Sequence, residues 1–257
     1  MQFGYLGSSH DKAVDALFGA AVITDTPANS LKCVLMAFVN RSGSNLVADA
    51  LKTTGRFAGF EEILNDSTIR TLAKRYGSRT FEEYLTRVHD EQVAVPGQIW
   101  GLKAGAAQLA MLFRTKAIPR LLRPTVVYVR RRDIIGQAIS LFIAEQNARW
   151  TTLDEGRNAE VLYDGPRILA HFRSISTSYS LLDQVLTISG LPCFTIFYEE
   201  FLDRPNELVS RLGVSLSGEG LLPRLEALTL KQQRDDRNYD FRKRFAADLQ
   251  DVEFVTQ

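Results

Sequence analysis

The sequence predicts an α/β fold of three layers, in which helices flank a central parallel sheet. Two observations support this class. Short apolar runs, typical of buried strands, alternate along the chain with longer segments of helical periodicity. The first apolar run also passes through a small polar loop directly into an amphipathic helix. Strands separated by helices are typical of a parallel sheet that is covered on both faces.

Four apolar runs mark the expected strands, at residues 33–39, 98–103, 125–130 and 191–198. Helical periodicity predicts helices at about residues 11–21, 44–54, 81–88, 104–116, 131–150 and 166–189, with another beginning near Pro205. Gly55 is the expected stop of the second of these helices. The stretch RFAGFEEILN, residues 56–65, is expected to be a loop, followed by a mixed segment up to Pro96.

The composition is that of an ordinary globular protein, with 257 residues, 45% hydrophobic and 24% charged. A net charge of +1 gives no overall attraction to nucleic acid or to acidic membranes, so no nucleic-acid partner is expected. No repeat, low-complexity tract or linker divides the chain. We therefore expect a single domain over residues 1–257, with residues 1–30 as an N-terminal extension.

Cysteine and histidine usage predicts a reduced, metal-free cytoplasmic protein. The residues concerned are Cys33, Cys193, His10, His89 and His171. The cysteines form no CxxC pair, and the histidines lack the spacing of zinc ligands, so they are expected to be ordinary surface or packed residues. No run approaches the roughly 18 apolar residues that a transmembrane helix needs.

The first loop, in FVNRSGSNLVADALK at residues 38–52, resembles a phosphate-binding loop. Ser42, Gly43 and Ser44 can expose backbone amides at a helix N-terminus, where the helix dipole favours an anion. Arg41 adds charged donors. The Gly-Lys-Ser/Thr ending of nucleotide-hydrolysing P-loops is missing, so we expect a P-loop-like fold without bound magnesium. A simple capped turn remains the alternative.

The carboxyl ends of parallel strands share one edge of the sheet, and ligands bind there. This edge is predicted to carry the loop 40–45, Lys103, Arg130–Arg132, Glu199 and Glu200. In RRRDIIGQAIS, three arginines end a strand, Asp133 can cap the next helix, and Gln137 and Ser140 follow on its first turns. Such donors suit a second phosphate, with a solvated charge cluster as the alternative.

The ordered set AFVNRSGSNLV, IWGLK, RRDIIGQAISLF and LKQQRDDRNYDFRKRF resembles sulfotransferases that use 3′-phosphoadenosine 5′-phosphosulfate (PAPS). More narrowly, it is similar to the bacterial trehalose 2-sulfotransferase-like family. The resemblance covers about residues 33–245 and leaves residues 1–32 outside. By itself, the last segment, residues 231–245, would be interpreted as a polar helix or loop.

The resemblance implies a residue-by-residue assignment of the donor site. The 5′-phosphosulfate would be held by Arg41, Ser42, Gly43, Ser44 and Asn45. The 3′-phosphate would be held by Arg131 and Ser140, with Gln137 as a further candidate, while Gln233 and Arg237 would close over the nucleotide. The chain departs from the family pattern at Asn45, where Thr is usual, and at Gly136, where Ser often stands.

The resemblance also implies that Glu62, in FAGFEEIL, is the catalytic base, with its neighbour Glu61 as the rival. Crowding by a second carboxylate or partial desolvation can raise the pKa of such a group towards the working range of a base. Arg41, the loop amides and Lys103 would stabilise the charge that develops on the leaving oxygen. For Lys103 the alternative is a surface lysine at a strand end.

The resemblance thus implies a PAPS-dependent sulfotransferase that modifies a hydroxyl of a carbohydrate or glycolipid, releases the nucleotide PAP, needs no metal and forms a homodimer. Two alternatives stay open. One is a P-loop kinase or nucleotide hydrolase, which the missing lysine of the loop disfavours. The other is a non-catalytic nucleotide-binding module.

Overall fold

A computed structural model of the chain describes residues 8–19, 22–23, 30–148, 161–229 and 236–250. Its centre is a five-stranded sheet in the order β2-β3-β1-β4-β5, and all four neighbouring pairs are parallel. The strands are β1 (Leu31–Phe38), β2 (Phe57–Glu61), β3 (Ile99–Ala104), β4 (Leu122–Arg130) and β5 (Cys193–Phe197).

Helices connect these strands. They are α1 (Ser9–Phe18), α2 (Ser44–Thr53), α3 (Asp66–Tyr76), α4 (Phe81–Gln92), α5 (Ala106–Arg114), α6 (Ala117–Arg120), α7 (Ile134–Asn147), α8 (Gly165–Ser189), α9 (Tyr198–Asp203), α10 (Pro205–Ser217) and α11 (Asp236–Gln250). A short 3-10 helix spans Leu225–Ala227. The α/β class with a parallel sheet is confirmed, and the four expected strands are confirmed to within three residues at each end.

The expectation of a loop at residues 56–65 is wrong, because β2 lies there and pairs with β3. The pattern that reveals a strand is interrupted at its centre. Gly59 and Phe60 both have left-handed backbone angles, with φ of 83° and 63°. The register against β3 shifts between Gly59 and Glu61, a β-bulge that breaks the alternation of inward and outward side chains.

Side chains on the two faces of the sheet belong to two separate apolar clusters. Leu35 and Ala37 of β1 belong to the larger cluster, which also contains residues of α5, α7 and α8. Val34 and Met36 belong to the smaller cluster, which contains residues of α2 and α10. Successive strand residues point to opposite faces, so β1 contributes to both clusters and is buried between two helical layers.

The strand order places a crevice at the carboxyl ends of β1 and β4. The connection that leaves β1 leads to β2 on one side, whereas β4 leads to β5 on the other. Such a switch point is where open α/β sheets bind ligands. Among the helices of the described residues, none is long and apolar enough to cross a membrane. The single-domain prediction stays a prediction.

Candidate active site

The loop between β1 and α2 is shaped by two residues with left-handed backbone angles. Arg41 has φ of 64° and Gly43 has φ of 91°. Ser44 is the first residue of α2, and the first amides of a helix lack intrahelical partners. The loop therefore presents a helix N-terminus to the crevice between β1 and β4, which favours an anion there.

Gly43 is required by its neighbour as well as by its φ angle. A Cβ atom at this position would lie 2.2 Å from a ring carbon of Tyr198, the first residue of α9. The same ring lies 5.3 Å from the guanidinium carbon of Arg131. Tyr198 thus packs against the loop and under one of the arginines at the end of β4, and a larger residue than glycine would displace it.

Polar groups of the loop are set up for an anion. Ser42 is fully buried, and within the part of the chain that the structure describes its Oγ has no hydrogen-bond partner. A buried hydroxyl without a partner is costly, which makes Ser42 Oγ a candidate donor to an anion bound at the loop. Arg41 Nε donates to Ser140 Oγ at 2.9 Å, which joins the loop to the second turn of α7.

The three consecutive arginines after β4 have different surroundings. Arg130 pairs with Asp183 at 2.9 Å, and Arg132 pairs with Glu200. The side chain of Arg131 is 11% exposed, and its Nη1 lies 3.5 Å from the carbonyl oxygen of Arg41. Arg131 is therefore the arginine that faces the loop, whereas the other two are engaged with α8 and α9.

Gln137, on the first turn of α7, connects that helix to the loop by hydrogen bonds. It is fully buried, and its Nε2 donates to the carbonyl oxygen of Asn40 at 2.7 Å. Its Oε1 accepts from Tyr179 Oη at 2.9 Å, and the same Oη accepts from the backbone amide of Arg131 at 3.0 Å. This chain of hydrogen bonds fixes the distance between the loop and the end of β4.

Gly136 leaves room for a carboxylate. A Cβ atom there would lie 2.2 Å from Asp133 Oδ2, and Asp133 accepts from the Gly136 amide at 3.0 Å. Arg242 of α11 donates to Asp133 Oδ2 at 2.7 Å, and Arg131 Nη2 lies 3.7 Å from it. Burial raises the pKa of Asp133, but the Gly136 amide and both arginines outweigh it, so that the pKa is lowered. A capping carboxylate between two arginines thus adjoins the position where the family often has Ser.

The end of β2 separates the two candidate carboxylates. Glu61 points outward, with its side chain 63% exposed and 4.0 Å from Lys52 of α2. Glu62 lies beyond the bulge and points the other way, and its Oε1 accepts from Lys103 Nζ at 2.9 Å. Because successive residues of an extended chain face opposite sides, one carboxylate reaches the crevice and the other reaches solvent.

Lys103, at the end of β3, is buried, with 2% of its surface exposed, so the alternative of a surface lysine is excluded. Besides Glu62, its ammonium group donates to Asn45 Oδ1 on the first turn of α2 and lies 4.5 Å from the ring centre of Phe38. Lys103 therefore connects two groups of residues. We call the loop 40–45 with Arg131, Gln137 and Ser140 the loop cluster, and Glu62 with Asn65, Lys103 and Gln108 the Glu62 cluster.

The pKa of Glu62 is lowered, opposite to the direction expected for a crowded or desolvated base. Burial raises the pKa of this carboxyl, but the charge and the hydrogen bond of Lys103 and the hydrogen bond from Asn65 outweigh that contribution. The neighbouring carboxylate of Glu61 faces solvent. Glu62 therefore contacts a cation, Lys103, and not a second carboxylate. The spacing of these residues in the sequence did not indicate this contact.

The structure brings together most of the residues expected at the site. The loop 40–45, Arg131, Gln137, Ser140, Lys103 and Glu62 lie at the shared edge, where Glu199 and Glu200 also lie. Arg237 is an exposed residue at the start of α11, and Gln233 lies outside the described residues. Sequence reasoning missed Asn65, Gln108, His10 and Tyr198, whose amide, imidazole and aromatic side chains form no recognisable spacing pattern.

The described residues form no metal-binding cluster and no disulfide. In the described ranges, no group of three or more His, Cys, Asp or Glu side chains is arranged to hold a metal ion. Both cysteines are free, and burial raises the pKa of the Cys33 thiol to about 12. The metal-free interpretation stays a prediction.

A parallel sheet with a serine- and arginine-lined loop at its switch point defines an α/β protein with a candidate anion site. A model of the Stf0 sulphotransferase family matches residues 33–248, and the chain belongs to that family. The resemblance to sulfotransferases drawn from the motifs is thereby confirmed, and residues 1–32 lie outside the match.

Solved structures with a similar arrangement include two proteins of distant sequence. Retinol dehydratase in complex with androsterone and the inactive cofactor PAP is 12% identical, with 93% of this chain and 78% of that chain covered and a TM-score of 0.40. The sulfotransferase domain from the curacin biosynthetic pathway is 11% identical, with 85% and 99% covered and a TM-score of 0.45. Among curated proteins, none matches the sequence significantly.

Proposed function

We propose that this member of the sulfotransferase family transfers the sulfuryl group of PAPS to a hydroxyl of a carbohydrate or glycolipid and releases PAP. One observation carries the proposal. An anion-binding loop and a carboxylate adjoin each other at the same sheet edge, and a single buried lysine, Lys103, contacts both through Asn45 and Glu62. Donor binding and proton removal would thus be coupled through one cation.

The loop cluster fits the two anionic ends of PAPS. The loop amides, Arg41 and the unsatisfied hydroxyl of Ser42 would bind the 5′-phosphosulfate, with Gly43, Ser44 and Asn45 shaping the start of α2. Arg131 and Ser140, which both contact Arg41, would bind the 3′-phosphate. Gln137 would act mainly by holding the Asn40 carbonyl in place. Gln233 and Arg237 remain candidates for closing over the nucleotide from the C-terminal side.

Glu62 would accept the proton of the sugar hydroxyl. PAPS supplies the sulfuryl group when bound, and sulfuryl transfer, like phosphoryl transfer, depends mostly on positioning and charge stabilisation. We infer that Lys103 turns from Glu62 Oε1 towards the oxygen that gains negative charge, with Arg41 assisting. Without its cation, Glu62 becomes more basic, and the proton is taken at Oε1, the oxygen that Lys103 leaves.

The acceptor class and the homodimer rest on the family resemblance described for the motifs. Acceptor specificity would lie in the segments 57–98 and 145–165, because loops at the site differ most between related enzymes. Sedimentation equilibrium of the full chain tests the dimer. A molar mass near that of one 28.8 kDa chain at micromolar concentration would contradict it.

A thermal-shift comparison of PAP with Mg-ATP tests the donor. A ligand that binds the folded state at 100 times its Kd adds about 2.7 kcal/mol, so we expect PAP to raise Tm by about 5–10 °C. Mg-ATP should leave Tm unchanged. Stabilisation by Mg-ATP and not by PAP would instead support a kinase or nucleotide hydrolase.

Transfer of labelled sulfate from PAPS to a panel of glycans and glycolipids tests the reaction. We expect a labelled product with at least one carbohydrate acceptor, and its loss in Glu62→Gln. PAP binding without transfer to any acceptor, including the steroid and retinoid alcohols added as controls, would support the non-catalytic binding module. Transfer to those alcohols alone would keep the reaction and overturn the acceptor class.

A further inference from the structure

Asn65 occupies the N-cap position of α3 but does not cap the helix. Its backbone angles, φ −74° and ψ 141°, are those of an N-cap, where Asn is among the favoured residues. Its side chain makes no capping hydrogen bond. Instead, Nδ2 donates to Glu62 Oε2 at 2.8 Å, and Oδ1 accepts from Gln108 Nε2 at 2.6 Å. A capping contact is given up for one hydrogen bond to Glu62, three residues earlier, and one to Gln108, 43 residues further on, which is typical of functional sites.

The main chain fixes the direction of these amide hydrogen bonds. Gln108 is buried, and its Oε1 accepts from the backbone amide of Gly105 at 2.7 Å. A backbone amide can only donate, so the Gln108 side chain must present its oxygen to Gly105 and its nitrogen to Asn65. Asn65 must in turn present its nitrogen to Glu62. The direction is thereby set for an ionised Glu62 carboxylate.

A residue of the N-terminal extension takes over the vacant cap. His10 Nδ1 accepts from the backbone amide of Asp66, the first residue of α3, at 3.1 Å. Burial lowers the pKa of His10, although Asp66, Asp11 and Glu62 oppose this, so the ring tends to stay neutral and able to accept. The side-chain amide of Asn65 is therefore available to hydrogen-bond Glu62.

We propose that Asn65 and Gln108 are positioning residues that orient the Glu62 carboxylate for proton transfer. The proposal rests on the proposed role of Glu62 as the base. Oε2 is held by Asn65, so the carboxylate cannot rotate freely, and Oε1 is the oxygen directed at Lys103 and at the hydroxyl that replaces it. The titratable groups that face Glu62 are Lys103 from β3 and His10 from α1.

The isosteric variant Asn65→Asp separates positioning from folding. Asp and Asn are equally good N-cap residues, so the stability of α3 should be retained. A carboxylate at residue 65 cannot donate to Glu62 and repels it, so the titration midpoint of Glu62 should rise by about one pH unit or more. The midpoint is read from the side-chain carboxyl resonances of ¹³C-glutamate-labelled protein, with Glu62 assigned by the signal missing in Glu62→Gln.

Gln108→Glu provides a second variant with the same shape. It still accepts from the Gly105 amide but cannot donate to Asn65, so the Asn65 amide turns its oxygen towards Glu62. We expect the midpoint of Glu62 to rise here as well. Asn206→Asp, an exposed change of the same kind in the first turn of α10, is the matched control and should leave the midpoint unchanged.

Activity supplies the second readout, measured with PAPS and an acceptor from the glycan panel. Loss of orientation of a general base should lower kcat about 10- to 100-fold in both variants, with the KM for PAPS within about twofold. A folded Asn65→Asp protein whose Glu62 midpoint and kcat both match the wild type would overturn the proposal. If the Glu62 midpoint shifts but no acceptor is sulfated, the positioning role of Asn65 and Gln108 stands and the proposed function fails. If an acceptor is sulfated but the Glu62 midpoint does not shift in the variants, the proposed function stands and the positioning role is removed.

Discussion

The loop cluster and the Glu62 cluster share one sheet edge but neutralise their charges differently. In the loop cluster, Arg41 contacts a hydroxyl, and Arg131 contacts a backbone carbonyl and shares the Asp133 carboxylate with Arg242. In the Glu62 cluster, the cation Lys103 contacts a carboxylate. Beside the loop, two arginines therefore share one carboxylate, whereas in the Glu62 cluster one lysine faces one carboxylate.

This difference assigns donor binding to the loop cluster and proton transfer to the Glu62 cluster. An anion at the loop would meet guanidinium groups and a helix N-terminus, which favours affinity. The ion pair of the Glu62 cluster must be opened before its carboxylate can act as a base, which makes proton transfer dependent on the donor. Variants in the loop cluster and variants in the Glu62 cluster should therefore change different kinetic constants.

The largest expected effect is that of Glu62→Gln. The amide cannot take up a proton, so kcat should fall about 10²- to 10⁴-fold, the usual contribution of a general base. The Kd for PAP, measured by isothermal titration calorimetry, should stay within about twofold of the wild type. Glu61→Gln is the matched control, because its carboxylate is exposed and pairs with Lys52. A larger loss of kcat in Glu61→Gln would reverse the assignment of the base.

The same difference explains which parts of the site could be predicted from sequence. The loop cluster comes from contiguous motifs, in which a strand, a small polar loop and a helix start follow one another. Glu62 was found through the family resemblance, but its environment was not, since Lys103 and Gln108 approach it from positions 41 and 46 residues further along. The direction of its pKa shift depended on that environment and was therefore missed. For the fold, continuous apolar runs revealed four strands, and the bulge at Gly59 and Phe60 concealed the fifth.

The next largest effects are expected at two glycines, one in the loop cluster and one in β3, two residues before Lys103. Gly43 lies against the ring of Tyr198, and Gly101 of β3 lies against the ring of Phe60, where an added Cβ would be 2.2 Å and 2.4 Å from ring carbons. Gly43→Ala should weaken PAP binding, and Gly101→Ala, which pushes the end of β2 away, should lower kcat instead. We expect each to lower the free energy of unfolding by about 2–3 kcal/mol, measured by urea titration.

Gly77→Ala is the control for Gly43→Ala. Its φ of 63° is also left-handed, but nothing lies within 4 Å of the added Cβ, so only the backbone cost of about 1 kcal/mol should appear. Equal losses of stability in Gly43→Ala and Gly77→Ala would show that Tyr198 yields to the new methyl group. Loss of PAP affinity in Gly101→Ala would show that the two clusters are not separable.

A smaller effect is expected when the three arginines after β4 are compared. Arg131→Ala removes charged donors from the loop cluster, and hydrogen bonds to charged groups contribute about 1.5–3 kcal/mol, so PAP affinity should fall about 10- to 100-fold. Arg130→Ala and Arg132→Ala are neighbouring controls whose ion pairs lead to Asp183 and Glu200. Their PAP affinity should stay within about threefold of the wild type by calorimetry. A uniform loss across all three would indicate a general electrostatic field rather than a defined phosphate contact.

The smallest effect concerns stability and pH, and it tests whether the Lys103–Glu62 pair is formed before the donor binds. The pKa of Glu62 is lowered in the folded state, so its contribution to stability is present above the ordinary glutamate value of about 4.3 and is lost as pH falls through the folded value. Glu62→Gln removes that contribution and leaves Lys103 buried beside Asn45 and the Phe38 ring, without a carboxylate at position 62. Because the Glu62 side chain is 38% exposed, solvent screening limits the difference to about 1 kcal/mol near pH 7. Urea titrations of both proteins between pH 3.5 and 7 should show this difference shrinking towards zero on acidification. A difference that does not change with pH would mean that Lys103 does not hold Glu62 in solution, and that the carboxylate is available as a base without the donor.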